Sequence, residues 1–106
     1  MEVKAYLIYS TCGSREDAER IGRELVKNRL AACVNILPTI HSIYWWKDKV
    51  EEDEEVAFLA KTTKERVDDT VAKIKELHPY ELPAILAIPI TKGSDDFISY
   101  IRDEVA

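Results

Sequence analysis

Apolar residues along this chain switch repeatedly between the two-residue period of strands and the 3.6-residue period of helices, and the order of the switches leaves few folds open. Val3 to Thr11 is a short run rich in β-branched and aromatic residues, closed by Cys12-Gly13-Ser14, and predicts a first strand. Ser14 with Asp17 three places on reads as an acidic capping box. Ala18, Ile21, Leu25 and Val26 then give a helix over about Arg15 to Arg29. From Ala32 to Trp46 the pattern is β-like again: Ala32, Val34, Ile36, Ile40, Tyr44 and Trp46 share one parity, Asn35, Thr39 and His41 the other. Lys47-Asp48-Lys49 predicts a turn, followed by a third strand ending in Val56-Ala57-Phe58-Leu59-Ala60. Thr62 with Glu65 forms a second capping box ahead of Val67, Val71, Ile74 and Leu77, a helix that His78-Pro79 ends. Ile85 to Ile90 is the fourth strand. Ser94 or Asp95 caps a last helix with Phe97, Ile98, Ile101 and Val105 facing inward.

The order βαββαβ plus a terminal helix predicts an α+β chain with the ferredoxin-like split βαβ sandwich, both main helices on one sheet face. Its sheet order, 4-1-3-2, makes strands two and four the edges. Pro38 and Pro89 fall in those two strands, where a missing N–H is tolerated. With 106 residues and no linker, repeat or low-complexity tract, residues 1–106 read as one domain.

Strand two is too long for that sheet. Fifteen residues, Ala32 to Trp46, face neighbours of about eight. Its far end carries Ile43, Tyr44, Trp45 and Trp46, an apolar cluster that water disfavours. A hairpin curling onto its own sheet would bury them. So would pairing with another copy of the chain, and the second reading is preferred because so small a core has few places for two tryptophans.

Charge narrows the partners. The net charge of −5 argues against nucleic acid, whose phosphates demand a basic face. Charged residues at 33% with no glutamine resemble heat-adapted composition and suggest a thermostable protein. No run of about 18 uncharged apolar residues suggests a membrane span, and the start, Met1-Glu2-Val3-Lys4, has no secretory pattern. Two cysteines, Cys12 and Cys33, are too few for a disulfide scaffold, so a cytoplasmic location with reduced thiols is expected.

Among chemistry-bearing residues, Cys12 and Cys33 fall at opposite ends of the sheet, too far apart for a bridge, with Cys12 in an exposed loop. Cys33 alone reads more simply as a small buried hydrophobe than as a ligand. Neither His41 nor His78 belongs to a short ligand motif. His78 suits a helix C-terminus, yet Leu77-His78-Pro79-Tyr80-Glu81-Leu82-Pro83 is a stiff loop presenting an imidazole, a phenol and a carboxylate together. Glu51-Glu52-Asp53-Glu54-Glu55 reads as a solvated edge guard or a weak collector of hard cations. With three glycines, no phosphate loop and no nucleophile elbow, nothing nominates an enzyme.

Ala31-Ala32-Cys33-Val34-Asn35, Tyr44-Trp45-Trp46-Lys47, Lys49-Val50-Glu51, Glu55-Val56, Lys61-Thr62-Thr63 and His78-Pro79-Tyr80-Glu81-Leu82-Pro83 together resemble the CutA divalent-cation-tolerance family over nearly the whole chain. The resemblance implies a stable homotrimer similar to the PII signalling proteins, without a settled enzymatic activity, that takes part in tolerance of copper and other divalent ions. It implies that Cys33 and His78 are the metal-associated positions, with Glu55, Lys61, Tyr80 and Glu81 as matching polar positions. Copper or zinc would suit a thiolate and an imidazole better than magnesium or calcium would. Two departures weaken the site: Ala84 stands where many relatives have glutamate, and Ser10 where some have cysteine. Because Cys33 and His78 are expected at opposite ends, one ion could join them only across a subunit boundary. Subunits would meet through the hairpin of strands two and three, at Tyr44, Trp45 and Trp46, with an unidentified protein partner also in view. The competing reading is a PII-like signalling trimer that binds a small anionic ligand in inter-subunit clefts through Lys47, Lys49 and Lys61.

Overall fold

A computed structural model describes residues 2–106 of the chain. The elements run β1 (Ala5–Cys12), α1 (Arg15–Lys27), β2 (Cys33–Trp46), β3 (Lys49–Thr62), α2 (Val67–Leu77), β4 (Ile85–Ile90) and α3 (Asp95–Val105). They form one antiparallel sheet of order β2-β3-β1-β4, the expected order read from its other edge. The fold is α+β, as predicted.

Strand parity sorts the core. Ile8, Ser10 and Cys12 of β1, with Val56, Phe58 and Ala60 of β3, face α1 and α2; Ile21, Leu25 and Ile74 close that layer. Gly22 of α1 lies against Val34, where an added Cβ would sit 3.2 Å from Val34 Cγ1, so the helix approaches β2 closely. On the other sheet face Ala5 and Ala32 meet Ile98, Ile101 and Val105 of α3. Above α3 that face is open, and Leu86 and Ile88 of β4 and Leu37 of β2 are exposed on it.

Several local expectations change. Ser14 caps α1 by accepting the Asp17 N–H at 3.2 Å, as predicted, but the helix stops at Lys27 with Asn28 as C-cap. Thr62 is no cap, because β3 extends through it and pairs it with Tyr6; α2 begins after Arg66 without a side-chain cap. Cys12 is not in an exposed loop. It ends β1 and is fully buried. Phe97 does not face inward; it is 43% exposed, since α3 covers only the lower part of its sheet face.

The long hairpin is real. Beyond the Cys12–Val56 pair, β1 ends, while β2 and β3 continue together to Trp46 and Lys49, with an irregularity between Leu37 and Ile40 that contains Pro38. Lys47 (φ 48°) and Asp48 (φ 65°) make the two-residue turn. The overhang does not curl onto its own sheet: Trp45 is 74% exposed, and Ile43 and Val50 are exposed beside it.

Candidate functional site

The 78–84 loop, the end of β1 and the hairpin arm up to Trp46 line an open recess of about 660 Å³ at the upper end of the sheet. Pro79 and Pro83 stiffen the loop, and His78 anchors it. The imidazole accepts the Tyr80 backbone N–H at Nδ1 (3.1 Å), so Nε2 carries the proton and donates to the Thr11 carbonyl at 2.7 Å. Cys12 Sγ lies 3.7 Å from the same Nε2, and burial pushes that thiol up to about 11. Both imidazole nitrogens are thus engaged inside the chain.

Tyr80 tilts over the His78 ring and donates its hydroxyl to Glu55 at 2.8 Å. Burial first, and then that carboxylate, hold the phenol well above its ordinary range. Gly13 lets it pass, since a Cβ there would approach the Tyr80 hydroxyl to 3.3 Å. On the hairpin Tyr44 donates to Asp53, which raises its own hydroxyl to about 12. Asp53, Glu55 and Glu81 all line the recess, beside Tyr9, Tyr44 and Trp46.

The loop motif therefore brings Tyr80 and Glu81 to Glu55, a grouping expected only in part, and adds Asp53 and Tyr44 to it. Cys33 is elsewhere. It pairs in register with Lys61, five residues along β3 from the Val56 that faces Cys12, or about 16 Å at strand rise. The Lys61 ammonium lies 3.5 Å from Cys33 Sγ, is bonded to Asn35, and sits 5.7 Å over the Phe97 ring. Lys47, Lys49 and Lys61 do not line the recess.

Sequence reasoning passed over His41. It is exposed on the opposite face of the hairpin, between Glu52 (2.7 Å to Nε2) and Glu54 (3.1 Å to Nδ1), and these two carboxylates raise its pKa. The signal lay in the antiparallel register, which sets His41 against Glu54. Among the described residues no three His, Cys, Asp or Glu side chains converge on a point that could hold a metal ion.

The sequence profile of the CutA1 divalent ion tolerance protein family matches residues 6–104. The chain belongs to the CutA family. The divalent-cation tolerance protein CutA of Archaeoglobus fulgidus is 43% identical over 98 residues, covering 92% of this chain and 95% of that protein. The crystal structure of CutA from Xylella fastidiosa superposes with a TM-score of 0.94 at 39% identity, over 97% of this chain and 99% of the other. A structure from Archaeoglobus fulgidus, with TM-score 0.92 and 40% identity over 96% and 99% of the two chains, is named the periplasmic divalent cation tolerance protein CutA. That name corrects the cytoplasmic expectation. A count of two cysteines does not fix the compartment of a CutA protein, because buried, separated thiols such as Cys12 give an oxidising environment nothing to join. The CutA name describes tolerance of divalent ions and no reaction.

Proposed function

We propose that this chain works as a homotrimer that responds to divalent metal ions, binding copper or similar cations with modest affinity and catalysing no reaction. The observation that carries the reading is the overhanging hairpin. It leaves a free strand edge, an exposed Trp45 and a run of five carboxylates beyond the sheet, while the sheet face below it leaves Leu37, Leu86 and Ile88 bare. A second and third copy covering the edge and the face would remove both liabilities, and a closed ring leaves none open.

Assembly also supplies what one chain lacks. With no three donors converging in a single chain among the described residues, an ion held at more than two protein donors is shared between copies. His41 offers an exposed imidazole of the kind that suits copper, zinc or nickel, and to bind an ion it must give up its extra proton and one of its hydrogen bonds to Glu52 and Glu54. His78 would have to surrender a buried hydrogen bond to bind, and an ion at Cys33 would meet the Lys61 ammonium. The recess of one chain is lined by carboxylates and not by lysines, and the inter-subunit clefts of the PII-like reading, with Lys47, Lys49 and Lys61, are a different place.

Copper titration by calorimetry, run on the parent and on Trp45→Ala with mass measured by light scattering, tests the proposal. The parent should be trimeric and bind copper, and the variant should lose mass and affinity together. Equal copper binding by a monomeric variant would contradict the shared site.

A further inference from the structure

A second recess, of about 340 Å³, lies at the lower end of the sheet, where the chain enters β2 and leaves β3 beside the end of α3. Three guanidinium groups line it, each from a different part of the chain: Arg29 from the turn after α1, Arg66 from the start of α2 and Arg102 from α3. Thr63 adds a hydroxyl, and among the described residues Glu65 is the one carboxylate side chain in the lining. Three positive side chains and one negative thus meet on a chain of net charge −5, against the sign of the whole.

The chain does not use these cations up. The Arg102 side chain makes no ion pair and no hydrogen bond among the described residues, and Glu2, which senses its charge, is bonded to Lys4 at 3.0 Å. Arg66 has Asp69 at 3.9 Å from one terminal nitrogen, the far limit of an ion pair, while its Nε–H is buried without a partner. A buried donor left unpaired costs free energy that an incoming acceptor recovers. Arg29 gives Nη1 to the Glu104 carbonyl (3.0 Å) and carboxylate (2.7 Å). That pins the turn to α3 and leaves its other donors for a ligand.

We infer that this lower recess binds a phosphoryl group, free or on a small organic phosphate, with its oxygens on the Arg66 and Arg102 guanidinium groups and Arg29 beside them. Guanidinium forks take phosphate oxygens in pairs, and a dianion answers the charge of the lining where a carboxylate would answer half of it. The volume stands near the lower bound of small-molecule pockets, about 300 Å³, which leaves room for a few atoms beyond the phosphoryl oxygens. The site is remote from the surfaces that copies would cover. β3 spans 14 residues from the hairpin turn to this end, about 45 Å at strand rise, and the bare sheet face lies above α3. Every lining residue belongs to one chain, so the site requires neither a partner copy nor the metal proposed above.

The test is calorimetric titration of the metal-free, assembled protein near neutral pH with inorganic phosphate and with glycerol phosphate. Sodium acetate at equal ionic strength serves as the comparison. A phosphate should bind saturably and acetate at least tenfold more weakly; the tighter of the two phosphates tells a free ion from an organic one. Arg102→Gln and Arg66→Gln should each weaken that ligand at least tenfold. Arg23→Gln, which removes an exposed cation of α1 outside the recess, should stay within twofold. Arg102 is exposed and unpaired, so its variant keeps the fold even if the Arg66 variant does not, and melting curves establish this. The inference is overturned if neither phosphate binds saturably, or if acetate binds as tightly. Binding that the folded Arg102→Gln variant leaves unchanged overturns it too.

Discussion

His78 Nε2 donates to the backbone carbonyl of Thr11 at 2.7 Å, joining two residues 67 positions apart in the sequence. That bond ties the loop after α2 to the last turn of β1, and with the Tyr80 N–H on Nδ1 it fixes the imidazole in one tautomer. The histidine of the family's most recognisable motif is thus a structural fastener for the wall of the recess.

His78→Ala should therefore cost stability and spare metal. Losing one buried and one part-buried hydrogen bond costs about 2 kcal/mol, visible as a lower melting temperature. Copper affinity should change less than twofold, whereas His41→Ala should lower it at least fivefold. The reverse ranking in a copper titration would return the site to His78.

Cys12 should resist alkylation. Burial raises its thiol to about 11, so little of it is thiolate at pH 8, and it has no exposed surface. Mass spectrometry after maleimide treatment should find Cys12 unmodified until the protein is unfolded. Rapid labelling of the native protein would contradict the burial.

His41 should titrate above the ordinary histidine value near 6.5, because Glu52 and then Glu54 hydrogen-bond its protonated ring. A raised folded value stabilises the protein below the unfolded pKa, and that contribution fades as pH rises through the folded one. Imidazole proton shifts followed by NMR give the value directly, and Glu52→Gln should lower it. A value at or below the ordinary one would remove the bracket.

The hairpin turn is open to improvement. Lys47 and Asp48 both occupy the left-handed region, where glycine at the second position is easier. Asp48→Gly should stabilise the protein by about 0.5–1 kcal/mol in chemical denaturation. A loss of stability would mean that the Asp48 side chain has a role in the assembled hairpin.

The sequence made the architecture legible because each element carries its own period and the prolines mark the edge strands; Ser14 and Ser94 also announced two helix starts. What it hid was set by register and burial. Thr62 looked like a cap because its hydroxyl suits one, but pairing with Tyr6 kept it in the strand. Cys12 looked exposed beside Gly13, but it falls on the helix-facing parity of β1. Asp53 was indistinguishable from Glu52 and Glu54 in an acidic run, and Glu55 stood apart only through the family resemblance. Only the strand alternation sends Asp53 and Glu55 to the recess and Glu52 and Glu54 to His41.

The central claim is that the hairpin beyond Val56 is an assembly device, and sedimentation equilibrium at micromolar concentration tests it most directly. The parent should show three times the mass of one chain, and Trp45→Ala, which deletes the most exposed aromatic of the overhang, should shift the mass toward a single chain. A parent that sediments as one chain would contradict the account.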